Sequence, residues 1–188
     1  VEDGDRAILM LSARFKPSVK GAMICVAEDG SRFLREDQID RHGHLFSHGL
    51  WRIPNASYRP WAVFDEAQKA ILEENGHMPI NVDEKLVSAA DAVELAGIID
   101  ADPETLTKTI ERFNGYAENG EDIEFNRAPE SMRAFEGTLY ALPLRPSVLN
   151  TQGGPRRNAK AQVMDTNGEP IKGLFSAGEC GGVNAFYY

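Results

Sequence analysis

The sequence predicts an α+β fold, and three observations support this. Helical and extended patterns follow one another without the strand–helix alternation of a doubly wound parallel sheet. A strong amphipathic helix pattern covers residues 102–119. Two turn signals, Asp29-Gly30 and Asn167-Gly168, each stand between short apolar runs, which is typical of antiparallel hairpins. The chain has 188 residues, enough for one domain or for one domain and part of another.

The first third of the chain predicts one hairpin followed by irregular structure. Residues 22–26 form a compact apolar run, Asp29-Gly30 is the turn, and residues 32–34 are expected to return as the second strand. Residues 36–64 are rich in proline, glycine and aromatic residues, which indicates a long loop that packs onto another surface.

Three helices are predicted after this loop. Asp65 is suited to cap a helix that stops at Gly76, and Asp91 is suited to cap a second helix that ends near Gly97. The third begins with Asp102 at its cap and Pro103 at its first position, and it ends at Gly120. Its apolar positions recur at helical spacing on one face: Leu106, Ile110, Phe113 and Ala117.

The C-terminal part predicts extended structure. Residues 139–149 read as an extended stretch in which Pro143 and Pro146 argue against a central strand position. Residues 161–164 and 174–177 are expected to form a hairpin, and the second of these strands is expected to be buried. That strand leads into a glycine-rich turn at residues 178–182.

The charge pattern excludes some functions. A formal net charge of −9 makes nucleic-acid binding unfavourable. No apolar run reaches the ~20 residues that a membrane span needs. The short basic cluster Arg156, Arg157 and Lys160 is interpreted as a solvated loop.

No metal site is predicted. Cys25 and Cys180 lack CxxC spacing, and His42, His44 and His48 have no acidic or cysteine partner at a ligand spacing, so they are interpreted as polar loop residues. Free thiols favour a reducing compartment such as the cytoplasm, although the localisation of the parent protein, including export, stays open.

The residues around the C-terminal hairpin are the best candidates for a cofactor site. Gly153 and Gly154 precede the hairpin, and Gly178 and Glu179 follow it. Glycine lets a backbone approach a ligand closely, and a carboxylate at the end of a strand can accept hydrogen bonds from sugar hydroxyls. The alternative is an ordinary hairpin followed by a loop.

Three segments resemble one family in order and approximate spacing. GLFSAGECGG, preceded by TQGG and AQVMDTNGEPIK, is similar to the C-terminal flavin segment of the fumarate reductase/succinate dehydrogenase flavoproteins, which include urocanate reductases and 3-ketosteroid dehydrogenases. GAMICVAEDGSRFLRED resembles the hairpin of that family's cap, and TLTKTIERFNGYAENGEDIEFNR resembles its helix and following loop. Together these segments cover about a third of the chain.

The resemblance implies a fold with two parts. Residues 12–150 would form a substrate-capping domain with several helices and a small antiparallel sheet, and residues 151–188 would be a segment of an FAD-binding domain. The family's GxGxxG fingerprint is absent from the sequence. We therefore expect a fragment of a longer enzyme, with FAD as cofactor of the full-length parent, not retained by these residues alone. The remainder of the FAD domain is the expected partner.

The family's chemistry would be hydride exchange between flavin N5 and a substrate carbon, which reduces or forms a carbon–carbon double bond. The substrate would be a small molecule, either an unsaturated carboxylate or an enone. The resemblance makes Arg41 the candidate acid, with Asp40 as the alternative occupant of that position, and Tyr58 a second candidate proton donor. Asn150 and Thr151 would contact the substrate, and Gly153, Gly154, Gly178 and Glu179 the cofactor.

Two departures keep alternatives open. Fumarate reductases tend to carry histidine where this chain has Asn150, and asparagine cannot shuttle a proton near neutral pH, which argues against a dicarboxylate substrate. Tyr58 lies between Trp51 and Trp61, so packing is an alternative role. A ligand- or partner-binding module without redox chemistry, or a flavin enzyme of different chemistry with the same cap, would also fit.

Overall fold

The computed structural model describes residues 20–37, 45–47, 50–52, 59–74, 86–144 and 153–181. The chain divides into two compact units, Val1–Pro146 and Ser147–Tyr188. Helices and small antiparallel sheets account for their regular structure, in agreement with the predicted α+β class.

The described residues of the first unit form three α-helices and six strands. The helices are α1 (Glu66–Glu74), α2 (Ala92–Ile99) and α3 (Pro103–Asn119). The strands are β1 (Met23–Val26), β2 (Leu45–Ser47), β3 (Leu50–Arg52), β4 (Trp61–Asp65), β5 (Val87–Ala89) and β6 (Leu139–Pro143). None of the described helices is both long and apolar enough to cross a bilayer.

A four-stranded antiparallel sheet, in the order β1-β4-β6-β5, forms the centre of the first unit. All four residues of β1 are buried, and neighbouring residues enter different apolar clusters. Ile24 and Val26 join the cluster that contains α2 and α3, while Met23 and Cys25 join the cluster that contains Leu72 of α1. Because both faces are covered, β1 is apolar throughout and does not alternate with polar residues.

The three predicted helix starts are confirmed. Each predicted capping aspartate accepts a hydrogen bond through its side chain from the backbone N–H three residues later. The donors are Gln68 to Asp65 at 2.8 Å, Glu94 to Asp91 at 2.9 Å and Thr105 to Asp102 at 2.7 Å.

The described helix ends also agree with the predictions. The third helix ends at Gly120 as predicted. The second helix ends at Ile99, close to Gly97 as predicted, and the left-handed residue that follows it is Asp100 with φ of 59°. Aspartate tolerates this conformation better than most residues other than glycine. Gly76 lies outside the described residues.

The predicted N-terminal hairpin was wrong in its second strand. β1 pairs along its length with β4, and the expected returning strand contributes one isolated bridge between Val26 and Arg32. The side chain of Arg32 is buried in an ion cluster described below, and this fixes the backbone after the turn.

The prediction that residues 36–64 form a loop was also wrong in part. This stretch contains the β2–β3 hairpin and most of β4, which lies between β1 and β6. The run WAVF is too short for periodicity to distinguish a strand from other buried structure, so its pairing depends on residues distant in sequence.

The expectation that Pro143 excludes a central strand was wrong as well. β6 lies between β4 and β5, but its described pairing with β5 covers only Leu139–Ala141. Pro143 faces Trp61 at the end of the ladder with β4, where a missing N–H is tolerated. Pro146 lies outside the described residues.

The second unit contains the predicted hairpin, formed by β7 (Gln162–Met164) and β8 (Pro170–Phe175). The side chain and backbone of Asp165 close the turn: its N–H donates to the Glu169 carbonyl at 2.8 Å and its carboxylate accepts from the Glu169 N–H at 2.8 Å. A 3-10 turn, Gly178–Gly181, follows β8.

Candidate functional site

Four of the eight predicted site residues lie outside the described part of the chain. These are the candidate acids Arg41 and Tyr58 and the candidate substrate contacts Asn150 and Thr151, and their roles stay predictions. The other four belong to the second unit, where the structure brings them together: Gly153, Gly154, Gly178 and Glu179.

The glycine pair lies directly against the Gly178–Gly181 turn. The Gly153 N–H donates to the Glu179 carbonyl at 3.2 Å. A Cβ atom built on Gly154 would stand 1.7 Å from the Cys180 carbonyl oxygen, a distance that no side chain can occupy. Glycine at position 154 is thus explained by contact between two backbone segments, without a ligand.

The Gly178–Gly181 turn is partly exposed to solvent. Ala177, Gly178 and Cys180 are exposed, and Glu179 is half-buried. A carboxylate in a glycine turn at the end of a strand can accept hydrogen bonds from ribose hydroxyls, so the chemistry of these residues is compatible with the sugar of a nucleotide cofactor such as FAD. They would hold only one edge of it, because the sequence contains no GxGxxG motif for the pyrophosphate.

The basic cluster near the glycine pair was interpreted as a solvated loop, and this was wrong for one of its residues. Arg156 and Lys160 are exposed as predicted. Arg157 is half-buried, and its Nη1 donates to the Ser176 carbonyl at 2.6 Å.

β8 was expected to be a buried strand, but all six of its residues are exposed in this structure. They include the side chains of Ile171, Leu174 and Phe175, which are 40%, 47% and 61% exposed. Among the described strands, β8 pairs only with β7, so one of its edges carries an open row of backbone groups.

The first unit contains a buried ion cluster formed by Arg32, Glu36, Asp122 and Arg127. Glu36 Oε1 accepts from Arg32 Nε at 3.1 Å, and its Oε2 accepts from Arg32 Nη2 at 2.8 Å and Arg127 Nη1 at 3.1 Å. The Cys25 N–H of β1 also donates to Glu36 Oε1, at 3.0 Å. Glu36 therefore joins two arginines to the central sheet.

The other members extend this cluster to the end of α3. Arg32 Nη2 donates to Asp122 Oδ2 at 2.9 Å, and Arg127 Nη1 donates to the Met23 carbonyl at 2.7 Å. The Phe113 ring lies 5.1 Å from the Arg32 guanidinium carbon and 5.0 Å from that of Arg127, a cation–π arrangement. Two positive and two negative charges are thus buried together.

The ion cluster affects the pKa values of Asp122 and of the neighbouring Cys25. Burial opposes ionisation of Asp122, but the hydrogen bond and charge of Arg32 outweigh it and lower the pKa of that carboxyl. Burial, reinforced by the Glu36 carboxylate, raises the pKa of the Cys25 thiol far above its ordinary value.

The members of the ion cluster come from two of the segments on which the family resemblance rests, SRFLRED and GEDIEFNR. The motifs by themselves did not indicate a role for these charged residues. The spacing of Arg32 and Glu36, four residues apart inside a motif, was the available signal. Their hydrogen bonds give these residues a structural role in the first unit.

Metal ligation has no support in the described residues, since no group of three or more His, Cys, Asp or Glu side chains there is placed to hold an ion. His42, His44 and His48 lie outside them.

Comparisons with known proteins agree with the sequence motifs. Urocanate reductase of Eggerthella lenta is 32% identical over 171 residues, which is 85% of this chain and 26% of that protein. A flavocytochrome c3 fumarate reductase in an open conformation superposes with a TM-score of 0.57 at 26% identity, over 89% of this chain and 31% of that one. A 3-ketosteroid Δ4-(5α)-dehydrogenase of Rhodococcus jostii superposes with a TM-score of 0.56 at 27% identity, over 88% and 33% respectively.

The chain spans about a quarter to a third of the length of these proteins. The family described as FAD binding domain matches residues 5–188, nearly the whole sequence. The resemblance to the fumarate reductase and ketosteroid dehydrogenase flavoproteins is confirmed, and the chain belongs to this FAD-binding domain family.

Proposed function

We propose that this chain is the substrate-capping domain of an FAD-dependent oxidoreductase together with a segment of its FAD-binding domain. The whole protein would reduce or form a carbon–carbon double bond in a small molecule. The observation that carries the proposal is the match of the FAD binding domain family to residues 5–188, and all four predicted cofactor residues of the described chain lie together in the second unit.

In this proposal FAD would supply hydride exchange at flavin N5. Glu179 would accept hydrogen bonds from ribose hydroxyls, and Gly153 and Gly178 would keep the backbone close to the cofactor. The remainder of the FAD domain would cover the exposed apolar side chains of β8 and pair with its open edge.

The substrate class is inferred from the relatives. Urocanate and fumarate are unsaturated carboxylates, and the ketosteroid dehydrogenase was solved with 4-androstene-3,17-dione, which is an enone. Asn150 in place of histidine argues against a dicarboxylate such as fumarate. We therefore favour a monocarboxylate or an enone.

Arg41 would deliver the proton to the carbon next to the one that exchanges hydride, with Tyr58 as the alternative donor. Asn150 and Thr151 would orient the substrate. An arginine in such a site can also clamp a carboxylate, because its planar fork donates two charge-assisted hydrogen bonds.

One observation favours a second candidate, a binding module without redox chemistry. The charged residues of the two cap motifs bond to one another and to the sheet, so these motifs would be needed for the fold whether or not the protein is an enzyme.

The visible spectrum of the full-length natural protein, purified without added cofactor, tests the proposal. Flavin bands near ~450 nm that bleach on reduction and return with urocanate or with an enone steroid would support it. A colourless protein that also ignores added FAD would refute it and favour the binding module.

Three variants of the full-length protein would then identify the proton donor. R41Q should lower kcat by about 100-fold if Arg41 is the acid, while Y58F and D40N should leave kcat nearly unchanged. A large loss in Y58F or D40N alone would transfer the role to that residue.

A further inference from the structure

We propose that Arg157 is a positioning residue: its guanidinium fixes the Gly178–Gly181 turn and thereby sets the affinity for the cofactor. The cofactor part of this inference rests on the proposed function, whereas the structural part is independent of it.

The guanidinium of Arg157 contacts the chain just before the turn and again at its last residue. Its Nη1 donates to the carbonyl of Ser176, two residues before Gly178, at 2.6 Å. At the other end it lies against Gly181, where a built Cβ would stand 2.4 Å from Cζ and 2.5 Å from Nη1 of Arg157. One planar group thus spans the segment that carries Glu179.

The base of this side chain is anchored on the hairpin. The Arg157 backbone forms an antiparallel bridge with Val163 of β7, and the Met164 N–H donates to the Arg156 carbonyl at 2.8 Å. Ser176 is buried, and its N–H donates to the Ala161 carbonyl at 2.9 Å. Arg157 therefore links β7, through its backbone, to the Gly178–Gly181 turn, through its guanidinium.

The geometry requires arginine at this position. A guanidinium is flat, so it can lie over a residue without Cβ while one of its N–H groups donates in plane to a carbonyl. A lysine ammonium could reach the carbonyl but would not cover Gly181. The neighbouring Arg156 is exposed and provides a control of equal charge in the same loop.

Without the guanidinium, the turn would be held mainly through Gly153 and the close approach of Gly154 to Cys180. The turn backbone that carries Glu179 would then sample several positions, and cofactor binding would have to order it again. We expect weaker FAD binding with little change in the chemical step once FAD is bound.

Hydrogen exchange of the 188-residue chain tests the structural part without any cofactor. In R157A, the amides of residues 174–181 should exchange about fivefold faster or more, with β7 little changed; R157K should show a smaller increase, and R156A none. G181A should resemble R157A, because the new methyl group displaces the guanidinium. If R157A, R157K and R156A all match the wild type in residues 174–181, the proposal is refuted.

FAD titration of the full-length protein tests the cofactor part. R157A should raise the Kd for FAD about tenfold and R156A less than about twofold, with kcat at saturating FAD unchanged in both. Equal weakening by R157A and R156A, or a loss of kcat at saturation in R157A, would overturn the positioning role. A wild-type protein that binds no FAD would instead refute the proposed function, and the exchange experiment alone would then decide whether Arg157 holds the turn.

Discussion

Glu36 is the residue on which the buried ion cluster depends. Both of its oxygens accept from arginine side chains, and Oε1 also accepts from the backbone of β1. Its side chain is 1% exposed, as is that of Arg32. Removing one partner of a buried charge pair leaves the other uncompensated, which costs more than the pair itself contributes.

E36Q should therefore lower the free energy of unfolding by about 3 kcal/mol or more. Urea unfolding followed by tryptophan fluorescence would measure this, since both tryptophans, Trp51 and Trp61, belong to the first unit. The control is E111Q, an exposed glutamate on α3, which should change stability by less than about 0.5 kcal/mol. Similar stabilities for E36Q and E111Q would contradict the structural role of the cluster.

The two cysteines differ in accessibility, and a thiol reagent should distinguish them. Cys25 is buried and its pKa is strongly raised, while Cys180 is exposed. Because the thiolate is the reactive form, one thiol should react rapidly in the native chain at pH 8 and two after denaturation. C180S should abolish the rapid reaction and C25S should not; the reverse result would show that β1 is not buried as described.

At the scale of elements, one helix cap also accepts a hydrogen bond from the backbone next to the central sheet. The Asp65 side chain caps α1 through the Gln68 N–H and also accepts from the Ala22 N–H at 3.0 Å, just before β1. This carboxylate is fully buried. Asp102 caps α3 at the surface, where water can replace it.

The two caps should therefore differ in their effect on stability. D102A should cost about 1 kcal/mol, the usual value for an exposed cap. D65A should cost about 2–3 kcal/mol, because two buried N–H donors lose their acceptor. Urea unfolding of the two variants side by side measures the difference, and an equal or reversed order would contradict the tie between α1 and β1.

At the scale of the whole molecule, the first unit has a sheet covered on both faces, while the hairpin of the second has an exposed strand. The first unit has its own core, and under the proposed function the exposed strand of the second would find its sheet partners in the rest of the FAD domain. This difference agrees with a chain that spans about a quarter to a third of its relatives.

The 188-residue chain should consequently bind FAD weakly or not at all, because its sequence lacks the GxGxxG motif that places a helix N-terminus at the pyrophosphate. Equilibrium dialysis with FAD measures this, with the full-length natural protein as the positive control. A tight complex of one FAD per 188-residue chain would show that these residues form a complete site.

The sequence alone determined the helices, the C-terminal hairpin and the family. The helix starts could be predicted because each capping side chain bonds to a backbone N–H only three residues away, so a short window of sequence contains both partners. This holds for Asp65, Asp91 and Asp102. The motifs around Glu36 and Glu179 likewise identify the family without a structure.

Only the tertiary structure decided the strand order and the roles of the charged and glycine residues. Arg32 donates to Asp122, which lies 90 positions further along the sequence. Pro143 is tolerated in β6 because the described pairing with β5 ends at Ala141. Position 154 requires glycine because a Cβ atom there would clash with the Cys180 carbonyl oxygen. These contacts join segments far apart in the chain, and the periodicity and capping rules that predict local structure contain no information about which distant segment will be adjacent.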